Sequence, residues 1–194
     1  MPLVETNESA IAGSWSRDGG TLFFYLVDPA TNRDLYAYSF DDGRITPLLV
    51  TPADERTPMV SPDGRWLAYL SDKSGRFEVY VSALPGFDVT RQVSRDGGAE
   101  PDWSAAGDEL FYRSSGGMMV AVPFRSSPEL ILGRPQELFR DEYLRDQFGN
   151  TIYGVAPDGR FLMLSETAAS ARTLQLQVAL GFADEVHRLV SAQQ

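Results

Sequence analysis

The sequence predicts an all-β protein, a β-propeller of four four-stranded blades, because one turn motif recurs four times along its 194 residues. The copies read WSRDGG at 15–20, VSPDGR at 60–65, WSAAGD at 103–108 and VAPDGR at 155–160. Their shared glycines lie 45, 43 and 52 residues apart and are Gly19, Gly64, Gly107 and Gly159. Periods of about 40 to 50 residues that hold several short strands are typical of propeller blades.

The segment after each motif has the pattern of a buried strand. The third residue after the marker glycine is a leucine in every copy: Leu22, Leu67, Leu110 and Leu162. Two residues later comes another large apolar residue: Phe24, Tyr69, Tyr112 and Leu164. Alternate residues of a strand share one face, and the residues between these are also largely apolar. Both faces of each sheet are therefore predicted to be covered, as in a blade stacked between two others.

Further strands complete each predicted blade. Third strands are predicted at 34–40, 77–84, 118–124 and 174–180, after polar turn segments. Shorter outer strands are predicted at 45–50, 90–94 and 135–139. The third period is the longest, and we assign its extra length to a long connection between blades at 140–150.

The repeated motif has the chemistry of a tight turn. In the second copy Pro62 fixes φ, Asp63 can accept hydrogen bonds from backbone amides, and Gly64 supplies a positive φ. The third copy has two alanines in place of the proline and the aspartate. A catalytic aspartate would not be expected to occur three times and to be lost once. We therefore interpret the following as structural turn residues: Asp18, Gly19, Pro62, Asp63, Gly64, Gly107, Pro157, Asp158 and Gly159.

The repeat also predicts blade boundaries. Residues 2–19 align without a gap to residues 47–64, so the sequence starts inside a repeat. We expect a single propeller domain with these parts: an outer strand of a preceding or closing blade at 1–12, blades at 13–56, 57–98 and 99–148, a partial blade at 149–181 and a short C-terminal helix at 182–194. The first strand could close a small ring. Alternatively, the chain is the C-terminal portion of a larger propeller, which the start inside a repeat favours; an open arc would be prone to self-association.

Composition excludes several classes of partner. A net charge of −10 and a pI near 4.5 argue against a nucleic-acid-binding surface. No stretch reaches the roughly 18 apolar residues of a membrane helix, so no direct membrane insertion is predicted. The first ten residues lack the pattern of a signal peptide.

No catalytic, cofactor or metal site is predicted. The sequence has no G-x-S-x-G nucleophile elbow, and His187, its only histidine, is expected to be a solvated residue of the terminal helix. With one histidine and no cysteine, a zinc site is not expected. The acidic stretches TPADER and RDEYLRDQ lack the spacing of a calcium loop.

Five large side chains are expected to join blades rather than to bind a ligand. Arg56, Arg76 and Arg113 lie near strand or loop ends, where we predict ion pairs between blades. Trp15 and Trp103 share one position of the repeat, directly before the turn, and are predicted to pack between blades.

Three segments carry a family resemblance. Residues 54–86, 92–124 and 143–164 resemble the WD40-like repeats of the TolB-like propeller found at the C-terminal end of bacterial serine/threonine protein kinases. The resemblance covers nearly the whole chain. Similar repeats occur in TolB-like interaction propellers and in the propellers of prolyl-oligopeptidase-like enzymes.

The resemblance implies a non-catalytic binding or sensor module, extracytoplasmic on the periplasmic side if its parent protein is membrane-anchored. Its partner would be a protein, a peptide or a small molecule, recognised by loops at one end of the blades. The sequence contains no glycine-rich nucleotide loop, HRD or DFG, so any kinase activity would belong to another domain. Two alternatives are a propeller that gates a prolyl-oligopeptidase-like hydrolase and a free-standing TolB-like protein-interaction propeller.

Overall fold

The computed structural model describes residues 8–126 and 129–165, and these form antiparallel sheets that follow one another along the chain. The first sheet contains β1 (Ser9–Trp15), β2 (Thr21–Asp28), β3 (Asn32–Ser39) and β4 (Ile45–Leu49). The second contains β5 (Glu55–Val60), β6 (Trp66–Ser71), β7 (Glu78–Ala83) and β8 (Thr90–Gln92). Both sheets keep sequence order, each strand pairing with the next.

The third and fourth sheets repeat this order with variations. The third contains β9 (Gly98–Trp103), β10 (Glu109–Ser114) and β11 (Met118–Arg125), and β11 pairs with both β12 (Ile131–Leu132) and β13 (Gln136–Arg140). The fourth is described only as β14 (Gly154–Val155) and β15 (Phe161–Leu162). The predicted all-β propeller class is confirmed. The predicted strand at 174–180 and helix at 182–194 lie outside the described residues.

The inner strands of the first three blades start earlier than the predicted boundaries. Ser9 pairs with Val27 of β2, so residues 9–12 belong to the first blade and not to the outer strand of another one. Likewise Glu55 pairs with Ser71, which places residues 55 and 56 in the second blade. The backbone N–H and C=O groups at the end of the second strand need hydrogen-bond partners, and the first residues of the inner strand supply them. Its polar, irregular first residues conceal this in the sequence.

The corner motifs are tight turns at matching places in the four sheets. Their glycines have φ between +72° (Gly64) and +81° (Gly159). In every corner the glycine N–H donates a hydrogen bond of 2.9 Å to the carbonyl three residues earlier. A positive φ is strained for residues with a Cβ, which explains why glycine holds this position in all four copies.

A serine hydroxyl stabilises three of the corners, a role that the sequence analysis missed. The hydroxyls of Ser16, Ser61 and Ser104 accept hydrogen bonds of 2.9–3.1 Å from the backbone N–H five residues later. Ser104 also donates to Asp108 at 2.7 Å. The third corner therefore retains an aspartate, one residue after the glycine, whereas the sequence analysis treated it as lost.

Successive blades pack face to face through apolar side chains. The first and second blades share a cluster formed by Phe23, Tyr25, Leu35, Leu67, Tyr69 and Tyr80. The third blade meets the fourth through Phe111, Met119, Ala121, Tyr153, Phe161 and Met163. The backbones of β1 and β5 also lie close together, since a Cβ on Gly13 would lie 2.4 Å from the carbonyl oxygen of Pro58. The stack therefore holds its loops on a rigid base.

The two tryptophans at the same repeat position have different surroundings. Trp103 is buried, and its ring meets that of Phe124 edge-on at 4.8 Å. Trp15 stacks on Phe40 at 5.1 Å and is 51% exposed. Trp103 therefore packs between two blades as predicted, whereas among the described residues Trp15 packs on Phe40 of its own blade.

The described residues include no helix long and apolar enough to span a lipid bilayer.

Candidate functional site

The loops of the blades gather at two opposite ends of the stack. Because the strands are antiparallel and in sequence order, the corner motifs lie at one end. The hairpins between second and third strands and the connections between blades lie at the other, which we call the loop end. The connections are residues 50–54, 93–97 and 141–153. Loops on a rigid scaffold are the usual place for binding residues, so the loop end is the candidate site.

An ion-pair cluster fixes the loop end between the first two blades. Arg33 of β3 contacts Asp54 at 2.7 Å, and Arg56 contacts the same carboxylate at 3.0 Å. The Asp54 backbone N–H donates to Asp72 at 2.9 Å. The Arg56 guanidinium also lies over the Phe77 ring, 3.9 Å from its centroid. These contacts hold the first connection against the second blade.

A buried acid at the start of the third strand holds the next connection in two blades. In the first, Asp34 accepts a hydrogen bond of 3.2 Å from the Thr51 N–H. In the second, Glu78 accepts from the Ser94 hydroxyl and, at 3.0 Å, from the Gly97 N–H. Both acids are 1% exposed. The sequence analysis missed these residues, although a single acid inside an otherwise apolar strand was the available signal.

Glu55 is a buried carboxylate with no ion pair among the described residues. It is 1% exposed and accepts hydrogen bonds from Thr51 at 2.8 Å and Ser71 at 3.1 Å. Burial raises the pKa of Glu55 to about 7, and the two hydroxyl hydrogen bonds only partly oppose this effect. This part of the loop end therefore changes its charge near neutral pH.

The long third connection crosses the inner ends of three blades. Tyr25 of the first blade donates to Asn150 at 2.8 Å. Arg56 and Thr57 of the second donate to the carbonyls of Phe148 and Gly149 at 2.7 and 3.0 Å. The connection was predicted as an extended loop between blades. Hydrogen bonds along its length also hold it to the first and second blades.

Arg113 fastens this connection to the third blade. Its side chain is fully buried, 3.2 Å from Glu100 and 3.6 Å from Asp141, and it donates to the Leu144 carbonyl. Asp141 also meets Arg145 at 2.6 Å. Desolvation raises the pKa of Glu100, although the adjacent Arg113 opposes the shift.

The arginine prediction needs a correction. Arg56, Arg76 and Arg113 all form ion pairs, but their partners lie in the same blade or in a connection. The Arg33–Asp54 pair likewise joins a blade to a connection. Strand-end arginines reach the adjacent connection first because it is the nearest polar structure at the edge of an apolar stack.

A cleft of about 880 Å³ opens at the loop end between the outer parts of the second and third blades. It forms because β8 has three residues, too few to cover the facing side of the third blade. Its floor is apolar and includes Val93, Tyr112, Val120, Val122 and Leu132. Its rim is polar and includes Gln92, Arg95, Asp96, Ser115, Arg134 and Glu137. A volume of this size suits a ligand.

The rim of this cleft is held in place by hydrogen bonds. Arg76 donates to the Arg95 carbonyl at 2.6 Å and lies 3.6 Å from the Asp96 carboxylate. The Ser115 N–H donates to the Gly97 carbonyl at 3.2 Å, and its hydroxyl donates to the Asp96 carbonyl. The second connection, residues 93–97, and the β10–β11 hairpin are thereby joined.

The corner aspartates do not converge on a common site. Asp18 accepts from Ser16 at 2.6 Å, Asp63 from Ser61 at 2.6 Å, and Asp158 from the Arg160 N–H at 3.2 Å, each within its own turn. The Ser16 hydrogen bond is the main cause of a lowered pKa at Asp18. Within residues 8–126 and 129–165, no group of three or more His, Cys, Asp or Glu side chains is placed to hold a metal ion. His187 lies outside the described residues.

Comparison with known proteins gives a sequence relative but no family model. No family model matches the chain. Over 116 residues it is 28% identical to an uncharacterized protein, Atu1656, of Agrobacterium fabrum (strain C58 / ATCC 33970). The match covers 58% of this chain and 38% of that protein.

Several solved structures have a similar fold. TolB from Acinetobacter baumannii has a TM-score of 0.64 at 14% identity, over 87% of this chain and 40% of that one. A putative TolB from Agrobacterium tumefaciens has a TM-score of 0.63 at 19% identity, over 82% and 58%. A puromycin-hydrolyzing peptidase of Mycobacterium tuberculosis has a TM-score of 0.61 at 21% identity, over 84% and 29%.

These similarities define the class of the protein as a β-propeller with the TolB-like fold. The chain spans less than two thirds of the length of each protein that it resembles.

Proposed function

We propose that this chain is a non-catalytic binding module whose loop end recognises a protein or peptide. The observation that supports this most directly is the preformed cleft, which has an apolar floor and a polar rim fixed by hydrogen bonds. A rigid rim lowers the entropy lost on binding, so little reorganisation is needed. The TolB-like fold is consistent with a protein-interaction propeller.

The resemblance of the repeats supports a more specific role. It suggests a sensor domain on the extracytoplasmic side of a membrane-anchored parent protein, with a serine/threonine kinase as the attached domain. In that arrangement the propeller binds a partner outside the cytoplasm and the kinase responds.

A second candidate is a propeller that controls access to a peptidase domain. The observation that favours it is the similarity to the puromycin-hydrolyzing peptidase, of which this chain spans 29%. The two candidates differ in the attached domain, so the coding sequence around this chain separates them: a kinase supports the sensor, and a hydrolase supports the gate.

Binding at the loop end is tested with a random peptide library displayed on phage. We expect enriched peptides whose addition slows hydrogen–deuterium exchange in the loop-end connections and hairpins, but not in the corners at 16–20, 61–65 and 104–108. Failure to enrich any peptide, or protection confined to the corners, would contradict the proposal. Hydrolysis of ATP or of a peptide amide by the purified chain would contradict its non-catalytic part.

A further inference from the structure

The rim of the cleft between the second and third blades carries two arginines and two acids, Asp96 and Glu137, in a chain that is acidic overall. The chain carries a net charge of −10, yet two arginines of the cleft rim, Arg95 and Arg134, form no ion pair with any described residue. The Asp96 carboxylate is 99% exposed and is paired with Arg76. The cations of the rim are therefore available to an anionic group.

The cleft also borders an unpaired strand edge. β8 is the last strand of the second sheet. The Val93 N–H and the Val89 carbonyl both form hydrogen bonds with β7. Backbone groups alternate in direction along a strand, so those of Gln92 point away from β7. Gln92 lines the cleft, and an extended peptide could pair with it there.

The floor of the cleft adds an apolar surface beside this edge. Tyr112, Val120 and Val122 belong to β10 and β11 and have relative exposures of 6% or less. They are already shielded from water, so what they offer a ligand is van der Waals contact with a closed apolar floor.

We infer that this cleft binds an acidic peptide segment in an extended conformation. Its carboxylates pair with Arg95 and Arg134, its backbone follows the edge of β8, and its apolar side chains lie on the floor. This inference rests on the proposed function and specifies the partner and its place. Glu137, also on the rim, opposes such a ligand and limits its affinity.

The test uses peptides enriched from the same phage library, synthesised with a fluorescent label and measured by anisotropy. We expect the enriched sequences to contain Asp or Glu beside apolar residues. Replacing the acids by Asn or Gln should weaken binding about tenfold, as should the double variant Arg95→Gln/Arg134→Gln.

The matched control is Arg17→Gln/Arg125→Gln, which changes the net charge equally at exposed arginines outside both the cleft lining and β8. It should leave the affinity within about twofold, because long-range effects are screened by salt. The reversed variant Arg95→Glu/Arg134→Glu should instead prefer basic peptides.

Three outcomes would overturn the inference while leaving the proposed function intact: peptides that bind without a carboxylate, peptides that bind the Arg95/Arg134 variant normally, and peptides that protect another part of the loop end. A Glu137→Gln variant that binds acidic peptides more weakly would also contradict it. If no peptide is enriched, both the inference and the proposed function fail.

Discussion

The indole Nε1 of Trp103 donates a hydrogen bond of 2.9 Å to the backbone carbonyl of Met59, joining the third blade to the second. Trp103 is 5% exposed, so its indole is shielded from water at this blade boundary. Trp15 has the same place in the repeat but is 51% exposed. Replacing each tryptophan in turn therefore compares a buried indole with an exposed one at the same position of the repeat.

The variant Trp103→Phe should lower the free energy of unfolding by about 1–3 kcal/mol, since it removes a part-buried hydrogen bond and shrinks a buried side chain. The variant Trp15→Phe should change it by less than about 0.5 kcal/mol, as expected for a surface position. Urea unfolding followed by far-ultraviolet circular dichroism measures both. Equal effects of the two substitutions would show that the indole hydrogen bond does not stabilise the blade boundary.

The corner glycines provide a second test, of turn geometry. Gly64 has φ of +72°, and a Cβ there would meet no atom within 4 Å. Gly64→Ala should therefore cost about 1–2 kcal/mol through backbone strain alone. Gly154 in β14 also has room for a Cβ and no positive φ, so Gly154→Ala is the matched control and should be neutral or stabilising. Thermal unfolding of both variants measures the two changes in stability. A Gly64→Ala variant as stable as the unmodified chain would contradict the role assigned to the corner glycine.

The buried carboxyl of Glu55 predicts a dependence of stability on pH. Its folded-state pKa of about 7 lies above the unfolded value, so the folded state binds more protons between the two values. The associated stability is fully present below the unfolded pKa, about 4.3, and is lost as pH rises through about 7. The loss is on the order of a few kcal/mol.

Glu55→Gln should flatten this part of the pH profile and raise the stability above pH 7, because a neutral amide is buried at lower cost than a carboxylate. Burial also raises the pKa of Asp102, to about 6, so the difference between variant and unmodified chain isolates Glu55. Glu142→Gln, whose side chain is 79% exposed, serves as the control. Urea unfolding across the pH range tests this prediction, and parallel profiles for Glu55→Gln and the unmodified chain would contradict it.

Local features of the fold could be predicted because they are repeated. The leucine three residues after each corner glycine indicates the second strand of each blade; Leu67 and Leu110 are fully buried, whereas Leu162 is 38% exposed, so burial was predicted wrongly for the fourth copy. The start of each inner strand was predicted less well. The inner strands are irregular there, with positive φ at Thr57 and Glu100, and such kinks have no simple pattern in the sequence.

The sequence by itself determined the class of fold, since corner glycines such as Gly64 and alternating apolar residues specify turns and two-sided strands through local conformational preference and periodicity. Only the tertiary structure decided which residues line a common cleft. Arg95 and Arg134 lie 39 positions apart in the sequence, and both line the cleft between the second and third blades. That they share this cleft depends on packing between sheets, for which no local pattern exists.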